Sequence, residues 1–131
     1  MKPSIVYVRD LFPAGSVLAL NRQHRLATLY EPSPLVVLSQ VQFSQHAYGV
    51  LLCLLEAFPD SCSHEELLAC LYPKQVVPPH AAGAELDMAL RPVYRAVGKA
   101  NAVLDCLGLT IETVREWGYR LAAQPGDRQE R

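Results

Sequence analysis

Three positively charged side chains recur every four residues in the second half of the chain: Arg91, Arg95 and Lys99. On an α-helix this spacing places them along one face, because one turn takes about 3.6 residues. Such a row could lie against the phosphates and base edges of the DNA major groove. A solvated helix surface explains the same spacing, and the spacing alone favours neither interpretation.

Other residues that could take part in catalysis or metal binding have structural explanations. Glu65 and Glu66 form a carboxylate pair, but they follow Ser63 as a capping box that begins a helix, so acid–base catalysis is not needed to explain them. The four cysteines lack the spacing of metal ligands. Three of them lie in apolar helical runs and are expected to be buried: Cys53, Cys70 and Cys106. With no nucleophile–base pair or phosphate loop, we expect no enzyme, no metal and no cofactor.

The basic row lies on a long amphipathic segment. Apolar residues spaced alternately four and three apart form a continuous stripe on a different face: Leu86, Leu90, Val93, Val97, Ala100, Leu104 and Leu107. This pattern predicts a helix, and Gly108 is typical of a residue that ends one. Pro92 has no backbone N–H, so either the regular helix begins near Pro92 or it is kinked there. Gly98 would allow another backbone to approach closely.

A short β-hairpin follows this helix. Residues 109–114 alternate as a strand, 115–118 form the turn, and 119–121 return. Arg115 at the tip is suited to contact the minor groove or a phosphate. Trp117 could pack on the core or stack at a contact surface.

The upstream chain provides the elements that hold this helix and hairpin. Four short segments predict an antiparallel meander: 4–8, 17–20, 25–30 and 35–38. Ser39–Gln42 is interpreted as the capping box of a first helix that stops at Pro59, and the Ser63 box begins a second helix that ends near Tyr72. The proline-rich segment 73–85 predicts a loop, which is a natural contact site for a protein partner.

The length, composition and net charge of the chain limit the classes of protein to which it could belong. The chain has 131 residues, of which 50% are hydrophobic and 19% charged, as in a globular domain. We expect one domain over residues 1–122 and a flexible polar tail over 123–131. Net charge is −1, which is low for a nucleic-acid binder, although a local basic face is still compatible with it. No apolar run is long enough for a membrane span and no signal-peptide pattern is present, so we expect a cytoplasmic protein without membrane contact.

The hairpin sequence carries a family resemblance. Residues 111–121, IETVREWGYRL, resemble the I-x-T-V-R-G-x-G-Y-R-L ending of OmpR/PhoB-type winged-helix DNA-binding domains. Residues 37–39, 58–68 and 86–90 are similar to the openings of the family's three helices, so the resemblance covers roughly residues 17–122. It implies an α+β winged helix-turn-helix fold with an N-terminal antiparallel β-sheet, three helices and a C-terminal β-hairpin wing.

The resemblance also implies a function and its residues. The expected partner is double-stranded DNA, bound by a homodimer or in tandem, and the expected activity is transcriptional regulation. The DNA-contacting residues implied are Arg91, Tyr94, Arg95, Lys99, Arg115 and Trp117. We expect no receiver domain, and therefore regulation by a partner, by oligomerisation or by synthesis of the protein.

Four positions depart from the family's pattern. Tyr94 and Ala96 replace an arginine and a lysine, Pro92 replaces a contact residue, and Glu116 replaces the glycine of the wing. Fewer cations mean fewer phosphate contacts and weaker binding. These departures favour the alternative function, an adaptor that has lost DNA binding and acts through protein contacts.

Overall fold

The computed structural model describes residues 5–12, 15–74, 82–115 and 117–124. Four features predicted from the sequence lie partly or wholly outside these ranges: Ser4 at the start of the 4–8 segment, the centre of the 73–85 loop at 75–81, Glu116 at the hairpin tip, and most of the polar tail at 125–131.

The N-terminal part of the chain forms an antiparallel sheet. Its strands are β1 (Ile5–Val8), β2 (Val17–Asn21), β3 (Leu26–Pro32) and β4 (Leu35–Gln42), and each pairs with the next in chain order. The predicted meander is therefore confirmed. Alternate residues of the two central strands are buried on the face that meets the core: Leu18, Leu20, Ala27 and Leu29.

The first predicted capping box is wrong, because Ser39–Gln42 ends β4 and does not begin a helix. Gln42 still pairs with Leu26 of β3, so the ladder continues through this segment. The helix begins at Gln45, and its N-cap is Ser44, whose hydroxyl accepts a backbone hydrogen bond of 3.4 Å from the first turn. Cross-strand pairing therefore outweighs the local capping signal.

Three helices follow: α1 (Gln45–Ala57), α2 (His64–Leu71) and α3 (Gly83–Leu104). The second predicted capping box is confirmed. The hydroxyl of Ser63 accepts from the backbone N–H of Glu66 at 3.0 Å, and the Glu66 carboxylate accepts from the backbone N–H of Ser63 at 2.8 Å. Two donors that a helix start leaves without partners are thereby satisfied.

The apolar stripe of α3 is confirmed. Its central members are all buried: Leu90, Val93, Val97, Ala100 and Leu104. The helix runs without interruption through Pro92, so the alternative that it begins there is wrong. It begins at Gly83, inside the segment predicted as a loop. One 3₁₀ turn follows α3, and Gly108 then takes the left-handed conformation expected of a C-cap, with φ of 73°.

A second sheet joins the predicted hairpin to the helices. The hairpin is β6 (Leu109–Val114) and β7 (Gly118–Ala123), as expected. A two-residue strand that the sequence did not predict, β5 (Cys62–Ser63), pairs antiparallel with β7, so the order is β5-β7-β6. At Gly118 the two backbones are so close that an added Cβ would overlap the carbonyl oxygen of Cys62. The wing is therefore paired directly with the segment that begins α2.

The burial predicted for the cysteines is correct for Cys53 and wrong for two others. Cys70 lies on the solvent side of α2, and Cys106 lies exposed on the 3₁₀ turn after α3. Cys62 is buried instead, because β5 lies against the helices. Burial, followed by the nearby charge of Glu66, raises the pKa of the Cys62 thiol to about 11.

Two general features complete the fold. No helix in the described part of the chain has both the length and the apolar character to cross a bilayer. Across the same ranges, no three histidine, cysteine or acidic side chains come together as a metal site would require.

Two glycines should respond in opposite directions to the same substitution. Gly118→Ala should destabilise the fold by about 3 kcal/mol, because β5 and β7 would have to separate. Gly98→Ala is the matched control: Gly98 lies in α3 with open space around it, and alanine should stabilise the helix by about 0.5–1 kcal/mol. Chemical denaturation measures both. Equal stability of the two variants would contradict the close β5–β7 contact.

Alkaline pH should weaken the fold through Cys62. The thiol ionises near pH 9 when unfolded and near pH 11 when folded, so the stability from this residue is complete below pH 9 and is lost as pH rises towards 11. The loss should reach about 2–3 kcal/mol. In Cys62→Ala, the free energy of unfolding should decline less steeply over this range, while the exposed control Cys106→Ala should match wild type. Identical slopes for all three proteins would refute this assignment.

Candidate nucleic-acid interface

The basic row lies on the solvent face of α3. Arg91, Arg95 and Lys99 are all exposed, whereas Val93 and Val97 on the opposite face are buried. Successive helical residues are turned by about 100°, so Arg91 and Arg95 lie near the middle of the exposed face. Within the described ranges, no carboxylate is within ion-pair distance of these three cations. Their charge is therefore available to an external anion.

One flank of the basic row borders a groove. Arg95 and Lys99 line it together with the start of α1 and Tyr72, and its volume is about 290 Å³. The first turn of a helix presents backbone N–H groups and the positive end of the helix dipole. His46, in this first turn, lies 3.3 Å from the Tyr72 hydroxyl through its Nδ1. This flank combines two cations with a helix start and suits a phosphate-sized anion.

The other flank of α3 is held by aromatic packing. The His64 ring, at the first position of α2, packs edge-on against Tyr94 of α3 and Tyr119 of β7, with centroids 5.6 and 5.1 Å away. Asp87 lies about two helical turns before Tyr94 on the same side of α3, and its carboxylate interacts electrostatically with the Tyr94 hydroxyl. Burial, followed by the charge of Asp87, raises the pKa of Tyr94. The side chains on this flank hold α3 in place, and the flank carries the negative charges of Asp87 and Glu65.

The hairpin wing is attached to His64, the residue whose ring packs against Tyr94. The backbone N–H of His64 donates to the carbonyl of Trp117 at 3.1 Å, at the end of the hairpin turn. The turn closes with a bond of 2.9 Å from the Trp117 N–H to the Val114 carbonyl. His64 thus fixes the positions of both α3 and the hairpin relative to α2.

The hairpin tip presents one cation and one aromatic ring. Arg115 is exposed and has φ of 49°, a left-handed conformation that is unusual for a residue with a side chain. Trp117 is 51% exposed, which excludes the alternative that it packs in the core. Further along the hairpin, Arg120 is 2.8 Å from the Glu112 carboxylate, so its charge is already compensated. Among the described residues of the wing, Arg115 is therefore the cation that is free to meet a ligand.

The residues that depart from the family pattern lie in different environments in the structure. Ala96 is only 4% exposed and lies at the groove beside Arg95 and Lys99. Tyr94 is 36% exposed and braces α3 against α2 and the wing. Pro92 is half-buried at the groove. Glu116 lies outside the described residues.

Sequence reasoning did not find His64 or the start of α1 as parts of this surface. The Ser63 capping box correctly placed His64 at a helix start. Its contact with the wing depends on β5 pairing with β7 across more than 50 residues, and a two-residue strand has no periodicity from which to predict this. The capping pattern of Ser39–Gln42 predicts an earlier helix start, so the sequence does not indicate Ser44 as the N-cap.

Comparison with known structures identifies the fold. The chain is similar to the crystal structure of the DNA-binding domain of the response regulator AdeR in complex with an intercistronic region. The TM-score is 0.53 and the sequence identity is 17%, over 80% of this chain and 93% of that chain. The expected α+β winged-helix fold, with an N-terminal antiparallel sheet and three helices, is thereby confirmed. Models of known protein families and curated protein sequences give no match to the chain.

Removing the Tyr94 ring should loosen the wing. Tyr94→Ala loses its contact with His64 and should destabilise the fold by about 1–2 kcal/mol, whereas Tyr94→Phe keeps the ring packing. Hydrogen exchange of the β6 and β7 amides should accelerate in the alanine variant only. The matched control is Tyr7→Ala, an exposed tyrosine on β1. If Tyr94→Ala and Tyr94→Phe exchange at the same rate, the aromatic contact does not position the wing.

Proposed function

We propose that this chain regulates transcription by binding duplex DNA through its winged helix. In this proposal α3 enters the major groove and directs Arg91 and Arg95 to base edges or phosphates, with Tyr94 beside them. Arg115 contacts the adjacent backbone, and the Trp117 ring lies over the sugars. The observation that carries the proposal is the row of unpaired cations on the exposed face of a helix that lies beside a hairpin wing.

The distribution of charge supports a definite orientation on DNA. Lys99 and Arg95, beside the start of α1, provide the positive flank, while Asp87 and Glu65 lie on the opposite flank near Tyr94. A phosphate strand is attracted to the first flank and repelled by the second. In the proposed complex one strand therefore crosses the groove between α1 and α3. A net charge of −1 is compatible with this arrangement because binding depends on the local field.

We further propose that two copies bind together, as a homodimer or in tandem. One chain offers roughly four phosphate contacts, which is few for a regulator acting alone at physiological salt. Strand β4 lies at the edge of the N-terminal sheet and exposes a run of uncharged apolar side chains from Leu35 to Leu38. An edge of this kind favours pairing with another chain. A protein partner that contacts loop 73–85 is a separate hypothesis. The centre of this loop, 75–81, lies outside the described residues.

DNA binding should be sensitive to salt and to the positive flank. With about four phosphate contacts, the logarithm of the association constant should fall with the logarithm of salt concentration with a slope near −3.6. Arg95→Ala combined with Lys99→Ala should weaken binding at least tenfold at low salt and reduce that slope by about 2. Fluorescence anisotropy with a labelled mixed-sequence duplex measures both quantities.

The matched control removes the same charge from a different surface. Arg9→Ala combined with Arg22→Ala leaves the same net charge as the α3 variant but changes the N-terminal sheet region, and it should bind DNA nearly as wild type does. Equal loss in both double variants would show that net charge alone governs binding. Failure of the wild-type chain to bind at micromolar concentration and low salt would exclude DNA binding and support the adaptor function.

A further inference from the structure

A second cavity lies between the N-terminal sheet and α1. It has a volume of about 450 Å³, within the range of small-molecule sites. One wall is the inner face of β1 and β2, with Val6, Val8 and Leu20, and the other is α1, with Leu52 and Leu55. Val6 pairs with Leu20 across the two strands, so both side chains point to the same face of the sheet. The lining of the cavity is mainly apolar.

One end of the cavity carries a polar group without a partner. Tyr48 of α1 lines the cavity and is only 5% exposed, and its hydroxyl makes no hydrogen bond within the described structure. A buried hydroxyl without a partner destabilises the fold, because it has lost its hydrogen bonds to water and has formed none within the protein. Arg22, immediately after β2, lines the same cavity, and its positive charge partly offsets the rise that burial causes in the pKa of Tyr48. A donor and a cation therefore lie together.

The two ends of the cavity differ in charge. Tyr48, Leu52, Leu55 and Glu56 lie on one side of α1, so Tyr48 and Glu56 are separated by about 12 Å along the helix. The Glu56 carboxylate would repel an anion at its end, whereas Arg22 and Tyr48 would attract one. Leu52 and Leu55 lie between the two ends and provide an apolar path. The cavity thus favours one orientation of an elongated anion, with its charged end towards Arg22 and Tyr48.

We propose that this cavity binds a small amphiphilic carboxylate, with its head group at Arg22 and Tyr48 and its apolar tail along Leu52 and Leu55. The carboxylate accepts a hydrogen bond from the Tyr48 hydroxyl and pairs with the Arg22 guanidinium. The tail covers side chains that the fold leaves partly exposed, including Val6. Its length is about two to three helical turns at most, roughly 12 Å. In its described part α3 does not line the cavity, so this site is separate from the proposed DNA surface.

The test uses octanoate and 1-octanol, which share a tail length and differ in the head group. Isothermal titration calorimetry of the full chain, without DNA, should show one octanoate per chain with at least tenfold higher affinity than octanol. Tyr48→Phe and Arg22→Gln should each reduce octanoate affinity about tenfold and leave octanol affinity unchanged. Tyr48→Phe should fold at least as stably as wild type, because it removes only an unpaired hydroxyl.

The control variants make the same chemical changes outside the cavity. Tyr7→Phe alters a side chain that alternates with Val6 and Val8 on β1 and so points away from the cavity. Arg9→Gln removes an exposed charge nearby. Both should bind octanoate as wild type does. Octanoate binding no tighter than octanol, or octanoate affinity that is unchanged in both Tyr48→Phe and Arg22→Gln, would overturn the proposal.

Discussion

The fold depends on three consecutive residues that connect the wing to the helices. Cys62 and Ser63 form the strand that pairs with β7. Ser63 also caps α2, and His64 then binds the hairpin turn through its backbone while its ring packs between Tyr94 and Tyr119. One short segment therefore sets the distance and angle between the helix that carries the basic row and the hairpin. This segment, together with the direct packing of α3 on β6, holds the surface formed by both elements together.

The electrostatic character of that surface comes from where the charged residues lie and not from how many there are. The chain carries 12 lysines and arginines against 13 aspartates and glutamates, so attraction to a polyanion must come from local asymmetry. Arg95 and Lys99 are next to the start of α1, whose backbone dipole reinforces their charge. Arg120, by contrast, is compensated by Glu112. Tyr94 contributes packing against His64 at a position where the resembled sequence pattern has a charge.

The sequence predicts most of the elements but not the contacts between them. The α3 stripe and the strand alternation are local periodic patterns, and both were predicted correctly. The Ser39 capping box failed because local capping chemistry and strand residues overlap there, and cross-strand pairing with β3 decided the outcome. Cys70 shows a related limit: its apolar neighbours predicted burial, but its phase on α2 turns it to solvent. Long-range pairings such as β5 with β7, and cavities such as the one beside Tyr48, arise only when distant segments meet.

The central claim is that α3, the start of α1 and the hairpin tip form one DNA-contacting surface. Nuclear magnetic resonance of ¹⁵N-labelled protein titrated with a short duplex at low salt tests it most directly. We expect the largest amide shifts over residues 91–99, at Ser44–His46 and at Arg115 and Trp117, with little change in β1. Shifts confined to the N-terminal sheet, or none at saturating duplex, would contradict the claim.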